Sequence, residues 1–113
     1  MPLFLVVLVQ NPIYKPIGTR VEELDTPSLV VDISALEHNL NTVHGFFTSI
    51  PAKIRPHVHA HKTPSIARLQ LSVPGTAGGI AVANVSEAEL FSKHNFTDIT
   101  LTTPITAPSK LTR

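Results

Sequence analysis

The chain has 113 residues, of which 42% are hydrophobic and 15% charged; that supports one folded domain and excludes a disordered charged tail. Nine basic and eight acidic side chains leave a formal charge of +1, and without a basic run interleaved with aromatics there is no electrostatic footprint for nucleic acid. Cysteine is absent, which excludes disulfides and thiolate metal sites and fits an intracellular, cytoplasmic protein.

Pro2 to Val9 is an apolar run. A bilayer span needs roughly 20 such residues, so no membrane crossing is expected from it. No Lys or Arg precedes Lys15 and no Ala-x-Ala follows, so the run lacks the marks of a secretory signal. It reads as an extra strand or a leader. With Pro12, Pro16 and Gly18 behind it, residues 1–17 form an apolar leader and irregular segment.

Ser28-Leu29-Val30-Val31-Asp32 is short, apolar and β-branched, and predicts a buried first strand. Ser34 and Glu37 have capping-box spacing and predict a helix start. Leu36, Leu40, Val43 and Phe47 give that helix one apolar stripe. Gly45 weakens its end and Pro51 lies beyond it.

Lys53 to Val58 predicts the second strand, with Pro56 near its end or at an edge because proline lacks an N–H. Thr63-Pro64 predicts an N-cap followed by proline at the first helical position. Ile66, Ala67, Leu69 and Gln70 continue a short helix, which Pro74-Gly75 and Gly78-Gly79 break. Ile80 to Ala83 is the third predicted strand. Ser86-Glu87-Ala88-Glu89 reads as a second capping box, with Ala88, Leu90 and Phe91 on the buried side of its helix and His94-Asn95 at its end. Ile99 to Thr102 is the fourth strand, and Ala107-Pro108 starts a further helix.

Strands alternating with helices predict an α/β fold of parallel β/α repeats. Two architectures compete: a small doubly wound sheet and half of a (β/α)8 barrel. No glycine-rich dinucleotide turn follows the first strand, which counts against the first.

Chemistry is concentrated in Arg55-Pro56-His57-Val58-His59-Ala60-His61-Lys62-Thr63. His57, His59 and His61 stand two apart, and His-x-His can ligate Zn²⁺ when alternate residues of a strand share a face. Nearby Asp, Glu or Cys to complete a shell is missing from the stretch, so no metal site is expected. Glu87 and Glu89 read as charges at a helix start. Asp25 and Asp32 read as turn and strand-end residues.

Three pieces of sequence carry a resemblance. They are Leu24 to Asp32 with Leu36-Glu37-His38-Asn39, then Arg55 to Thr63, then Val85-Ser86-Glu87-Ala88-Glu89. Together, over about residues 18 to 112, they resemble the amino-terminal part of the D-threonine aldolase and D-serine dehydratase family. The resemblance implies an alanine-racemase-like barrel, with residues 18–113 as a partial barrel domain covering about the first half of the (β/α)8 repeat. It implies pyridoxal phosphate as the family's cofactor, a D-β-hydroxy amino acid as its substrate and lyase chemistry. The family motif reads Arg-Pro-His-x-Lys-Thr-His-Lys, and its first lysine carries the cofactor as a Schiff base. Arg55, His57 and His61 match motif positions and are implied cofactor-binding residues. His59 stands where the Schiff-base lysine is expected, and Lys62 is the nearest amine that could substitute. An imidazole cannot form the aldimine, and relatives are more than three times longer. The chain is therefore expected to be a fragment from a truncated or partial reading frame, inactive alone. A non-catalytic module that self-associates or pairs with a full-length paralogue, and a His-cluster metal protein, are the alternatives.

Overall fold

The structure, a computed structural model, describes residues 15–113. The Pro2 to Val9 run lies outside the described residues. The chain divides into a unit ending at Asp32 and a unit spanning Ile33–Arg113.

In the first unit a short 3-10 turn covers Val21–Glu23, and Ser28 Oγ donates to the Asp25 carbonyl in a second turn. The strand expected at Ser28 to Asp32 is not formed. Leu29, Val30 and Val31 are exposed instead. A strand is held by its ladder of backbone bonds. Among the described residues no neighbouring strand pairs with this segment, so its β-branched composition has nothing to act on.

The second unit opens with α1, Ile33–Phe46. Ser34 therefore lies inside the first turn rather than at the cap. Leu40 is buried, but Val43 is half-exposed and His44 takes the buried place beside it. The stripe is rotated by one residue from the expected one. Phe47 continues the chain past the helix with its ring edge-on to Phe46.

The expected second strand survives as two isolated parallel bridges, Ile54 with Thr76 and His57 with Ala81. The interruption falls at Pro56, which cannot donate; its carbonyl still accepts from Ala81 N at 2.8 Å, and Val58 N donates to Ala81 O at 2.9 Å. The segment then turns. Lys62 N donates to Val58 O, and Lys62 sits in the left-handed region at φ 49°. Helix α2, Pro64–Ser72, begins with Pro64 at its first position after Thr63, as the sequence predicts. The Thr63 hydroxyl, however, donates to the His61 carbonyl instead of capping the helix.

After α2 the chain turns at Gly75, whose φ of +97° and close approach to the His44 carbonyl leave no room for a side chain. Strand β1, Ile80–Val82, and strand β2, Ile99–Leu101, pair in parallel with Ile80 opposite Ile99 and Val82 opposite Leu101. Both lie where the apolar β-branched runs predict them.

Helix α3, Val85–Lys93, crosses between the two strands. Its cap is Asn84, whose side chain accepts from Glu87 N at 2.9 Å. The capping pair is thus Asn84 and Glu87, two residues earlier than the Ser86 and Glu89 pair of the sequence reading. Asn at the cap outcompetes Ser because the chain leaves β1 sooner and Asn84 already has extended backbone. His94 and Asn95 end the helix, Asn95 at φ 64°. A short α4, Pro108–Leu111, follows.

One face of the sheet packs on α2 and α3. Val58, Ala67, Ile80, Val82, Phe91 and Phe96 form the buried cluster, with Leu71 and Ala88 against it. Ile80 and Val82 point to the same side because strand residues alternate. Leu90, expected in the core, is partly exposed; α3 turns its Phe91 edge inward, and that ring meets Phe96 edge-on at 5.3 Å. The result is an α/β unit with a two-stranded parallel sheet. No helix among the described residues is long and apolar enough to cross a membrane.

Candidate functional site

The three histidines of the central stretch have separate partners. His57 bridges to Ala81 on β1. Its Nε2 lies 3.1 Å from Thr102 Oγ1 just beyond β2, and its Nδ1 accepts from His59 N at 3.3 Å. Thr102 Oγ1 spends its only proton on the Val82 carbonyl, at 3.0 Å. It must therefore accept from His57, which fixes His57 as the Nε2–H tautomer. His61 is held in the same form: Nδ1 accepts from Thr63 N at 3.0 Å, and Nε2 donates to Gln70 Oε1 at 3.1 Å. It staples the turn to α2.

His59 differs. Its Nδ1 lies 2.6 Å from Glu87 Oε1. The Glu87 carboxylate is buried on α3, and Oε2 accepts from Ala83 N at 2.9 Å. Burial pushes this carboxyl up, yet the Ala83 N–H, the His59 imidazole and the nearby Lys62 charge outweigh it and hold Glu87 below the usual range. The imidazole itself is about half-exposed, with 52% of its side chain open. His57, His59, Glu87 and Thr102 thus gather at the carboxyl ends of the parallel segments. Side chains in α/β proteins converge on chemistry there.

Arg55 is not part of this gathering. It makes a two-pronged pair with Asp98, Nη1 to Oδ1 at 2.8 Å and Nη2 to Oδ2 at 3.0 Å, at the opposite, amino-terminal ends of β1 and β2. Asp98 holds the guanidinium more firmly charged than usual, and Arg55 in turn keeps the Asp98 carboxyl below its ordinary range. Lys62 is exposed and within electrostatic reach of Glu87. Among the described residues no group of three His, Cys, Asp or Glu side chains could hold a metal. Glu87 and Thr102 belong to the cluster although the sequence reading gave them no role there. Glu87 was legible only as a helix-start charge, and pairing across 28 residues leaves no mark in local spacing.

Comparison with known proteins shows what the chain is similar to. The chain is 37% identical to a D-threonine aldolase of Arthrobacter sp over 94 residues, 83% of its length. It is 31% identical to a 3-hydroxy-D-aspartate aldolase of Paracoccus denitrificans over 85% of its length. A D-serine dehydratase of Dictyostelium discoideum is 34% identical over 80%. The crystal structure of a D-threonine aldolase from Filomicrobium marinum superposes with a TM-score of 0.74 at 33% identity, covering 80% of this chain and 24% of that one. Over that shared length the chain belongs with the D-threonine aldolase and D-serine dehydratase family. No family model matches it. The chain spans about a quarter of the length of the curated family members it matches, 24% of the D-threonine aldolase.

The family resemblance implies pyridoxal phosphate, and the residues present can be tested for fit. An amine-linked cofactor needs a primary amine, and the resemblance puts that amine at position 59. His59 supplies none, and its Nδ1 is engaged by Glu87. Lys62 is exposed and follows the turn in left-handed backbone. Arg55 and His61 are committed to Asp98 and Gln70. Position 59 therefore offers a Schiff-base cofactor no amine to attach to.

Proposed function

We propose that residues 18–113 carry the opening β/α repeats, about the first half, of an alanine-racemase-like barrel of the pyridoxal-phosphate lyase type, in which position 59 has lost the cofactor-bearing amine. The parent chemistry is cleavage or dehydration of a D-β-hydroxy amino acid. This chain alone is inactive in that reaction. One observation carries the reading: His59, at the motif position of the Schiff-base lysine, is bound through Nδ1 to the buried Glu87. The supporting likeness is to D-threonine aldolase and D-serine dehydratase sequences and to a solved D-threonine aldolase.

The test is cofactor trapping. The purified chain is incubated with pyridoxal phosphate, reduced with borohydride and mapped by peptide mass spectrometry, with His59→Lys alongside. The expected result is no selective adduct in the unaltered chain and a weak one at position 59 in the variant. A stoichiometric adduct on Lys62 would sink the reading, since the amine would then have moved along the motif.

A second reading, a non-catalytic module that self-associates or pairs with a longer paralogue, is favoured by the outer edge of β2, which no described residue pairs with. Sedimentation at rising concentration tests the self-associating form of this reading, which a monodisperse folded monomer removes.

A further inference from the structure

The three histidines differ in one respect that carries chemistry. His57 and His61 each have both ring nitrogens engaged. His59 has a carboxylate on Nδ1 and, among the described residues, no partner on Nε2. Glu87 Oε2 accepts from Ala83 N, and Oε1 faces His59 Nδ1 at 2.6 Å, so the carboxylate is the acceptor of the pair. The proton between them is then that of His59 Nδ1, and in the neutral ring this tautomer leaves the lone pair on the exposed Nε2.

We propose that His59 and Glu87 form a carboxylate-oriented imidazole base that hydrolyses small activated carboxylic esters with water as nucleophile. This goes beyond the lyase-relic reading and does not depend on it. Two features of the fold build the base. Glu87 is fixed from both sides: Oε2 by Ala83 N, and its own N–H by the Asn84 cap. His59 is fixed by its backbone N–H, which is bound to a His57 ring that Thr102 and Val82 hold in turn. Such a pair fixes both tautomer and ring direction, the two things a general base needs before a substrate arrives.

In the step, the oxygen of water forms a bond to the acyl carbon as its proton passes to His59 Nε2. The bond between the acyl carbon and the leaving oxygen breaks, and the leaving group departs with the electron pair. The imidazolium then gives its proton to the leaving group or to solvent, so ester and water yield acid and alcohol. Glu87 touches no reacting atom and is a positioning residue. Lys62 and His57 are the other ionisable groups beside the pair.

The experiment uses the full chain with ethyl dichloroacetate, an ester whose poor leaving group makes imidazole act as a base on water rather than as the nucleophile, compared with six equivalents of free imidazole to match its six histidines. General-base catalysis in formed active sites contributes about 10²–10⁴-fold; without an oxyanion hole we expect on the order of tenfold over imidazole. His59→Gln, at a half-exposed position, should remove that excess. Histidine ¹⁵N spectra supply the independent readout: His59 should show Nδ1 protonated and Nε2 bare, and Glu87→Gln should abolish that preference and lower the rate. A rate equal to that of free imidazole, an excess that survives His59→Gln, or a His59 with Nε2 protonated in the unaltered chain would each overturn the proposal. If Glu87→Gln does not fold, the spectrum of the unaltered chain and the His59→Gln rate still decide it.

Discussion

The Arg55 guanidinium and the Asp98 carboxylate meet in two parallel bonds, of 2.8 and 3.0 Å, across the backbone of Gly79. A Cβ at Gly79 would fall on both the guanidinium and the carboxylate. The glycine is there for close approach, and Gly79→Ala should cost about 1–3 kcal/mol as the pair is forced apart. Urea unfolding checks this. Arg55→Met with Gly79→Ala should recover part of the loss, because the clash then has a partner that can yield.

Asp98 also gives a pH dependence. Its carboxyl is held below the ordinary value by the Arg55 hydrogen bonds. A depressed carboxylate contributes stability that is present above its unfolded pKa and lost as pH falls through the folded one. Asp98→Asn should therefore flatten the acid limb of the stability curve below about pH 4, as read by unfolding midpoints.

His44 acts in a higher window. It is 2% exposed, and its Nδ1 has no hydrogen-bond partner among the described residues. Burial lowers its pKa, so the folded state prefers the neutral ring. The unfolded chain takes up the proton first, and stability should fall as pH drops through about 6.5. His44→Leu should remove that step in midpoints measured from pH 7.5 to 5.

Asn84 caps α3 and fixes Glu87. Asn84→Ala should cost about 1 kcal/mol, and Asn84→Asp most of nothing, because either oxygen can accept from Glu87 N. Thermal melts decide it, and equal losses for both variants would show that the cap is not acting through that bond.

Phe91 is fully buried between β1 and Phe96. Phe91→Ala should cost about 3–5 kcal/mol. In a chain of this size that is a large part of the whole stability, so loss of near-native circular dichroism at room temperature is the expected result.

Much of this was legible locally. The apolar runs at Ile80 and Ile99, Pro64 behind Thr63, and the stop at His94-Asn95 all act within a few residues, and each appears where local chemistry puts it. The misreadings have non-local causes. Ser28 to Asp32 has strand composition but takes no part in the strand ladder among the described residues. The Ser86 cap was displaced by Asn84 because the end of β1, and not the motif, sets where α3 begins. Val43 yielded its buried place to His44 because the helix rotation follows the packed surface.

The sequence by itself determined the strand–helix–strand order from Ile80 to Leu101, the likeness to the D-threonine aldolase and D-serine dehydratase family, and the presence of an imidazole at position 59. Those follow from residue identity and short spacing. Only the tertiary structure decided what that imidazole faces. Glu87 reaches His59 from 28 residues away, Thr102 reaches His57 from 45 away, and Asp98 draws Arg55 to the other end of the strands from 43 away. The reason is physical: a parallel sheet brings the ends of distant segments together, and no local pattern records which side chains will meet there.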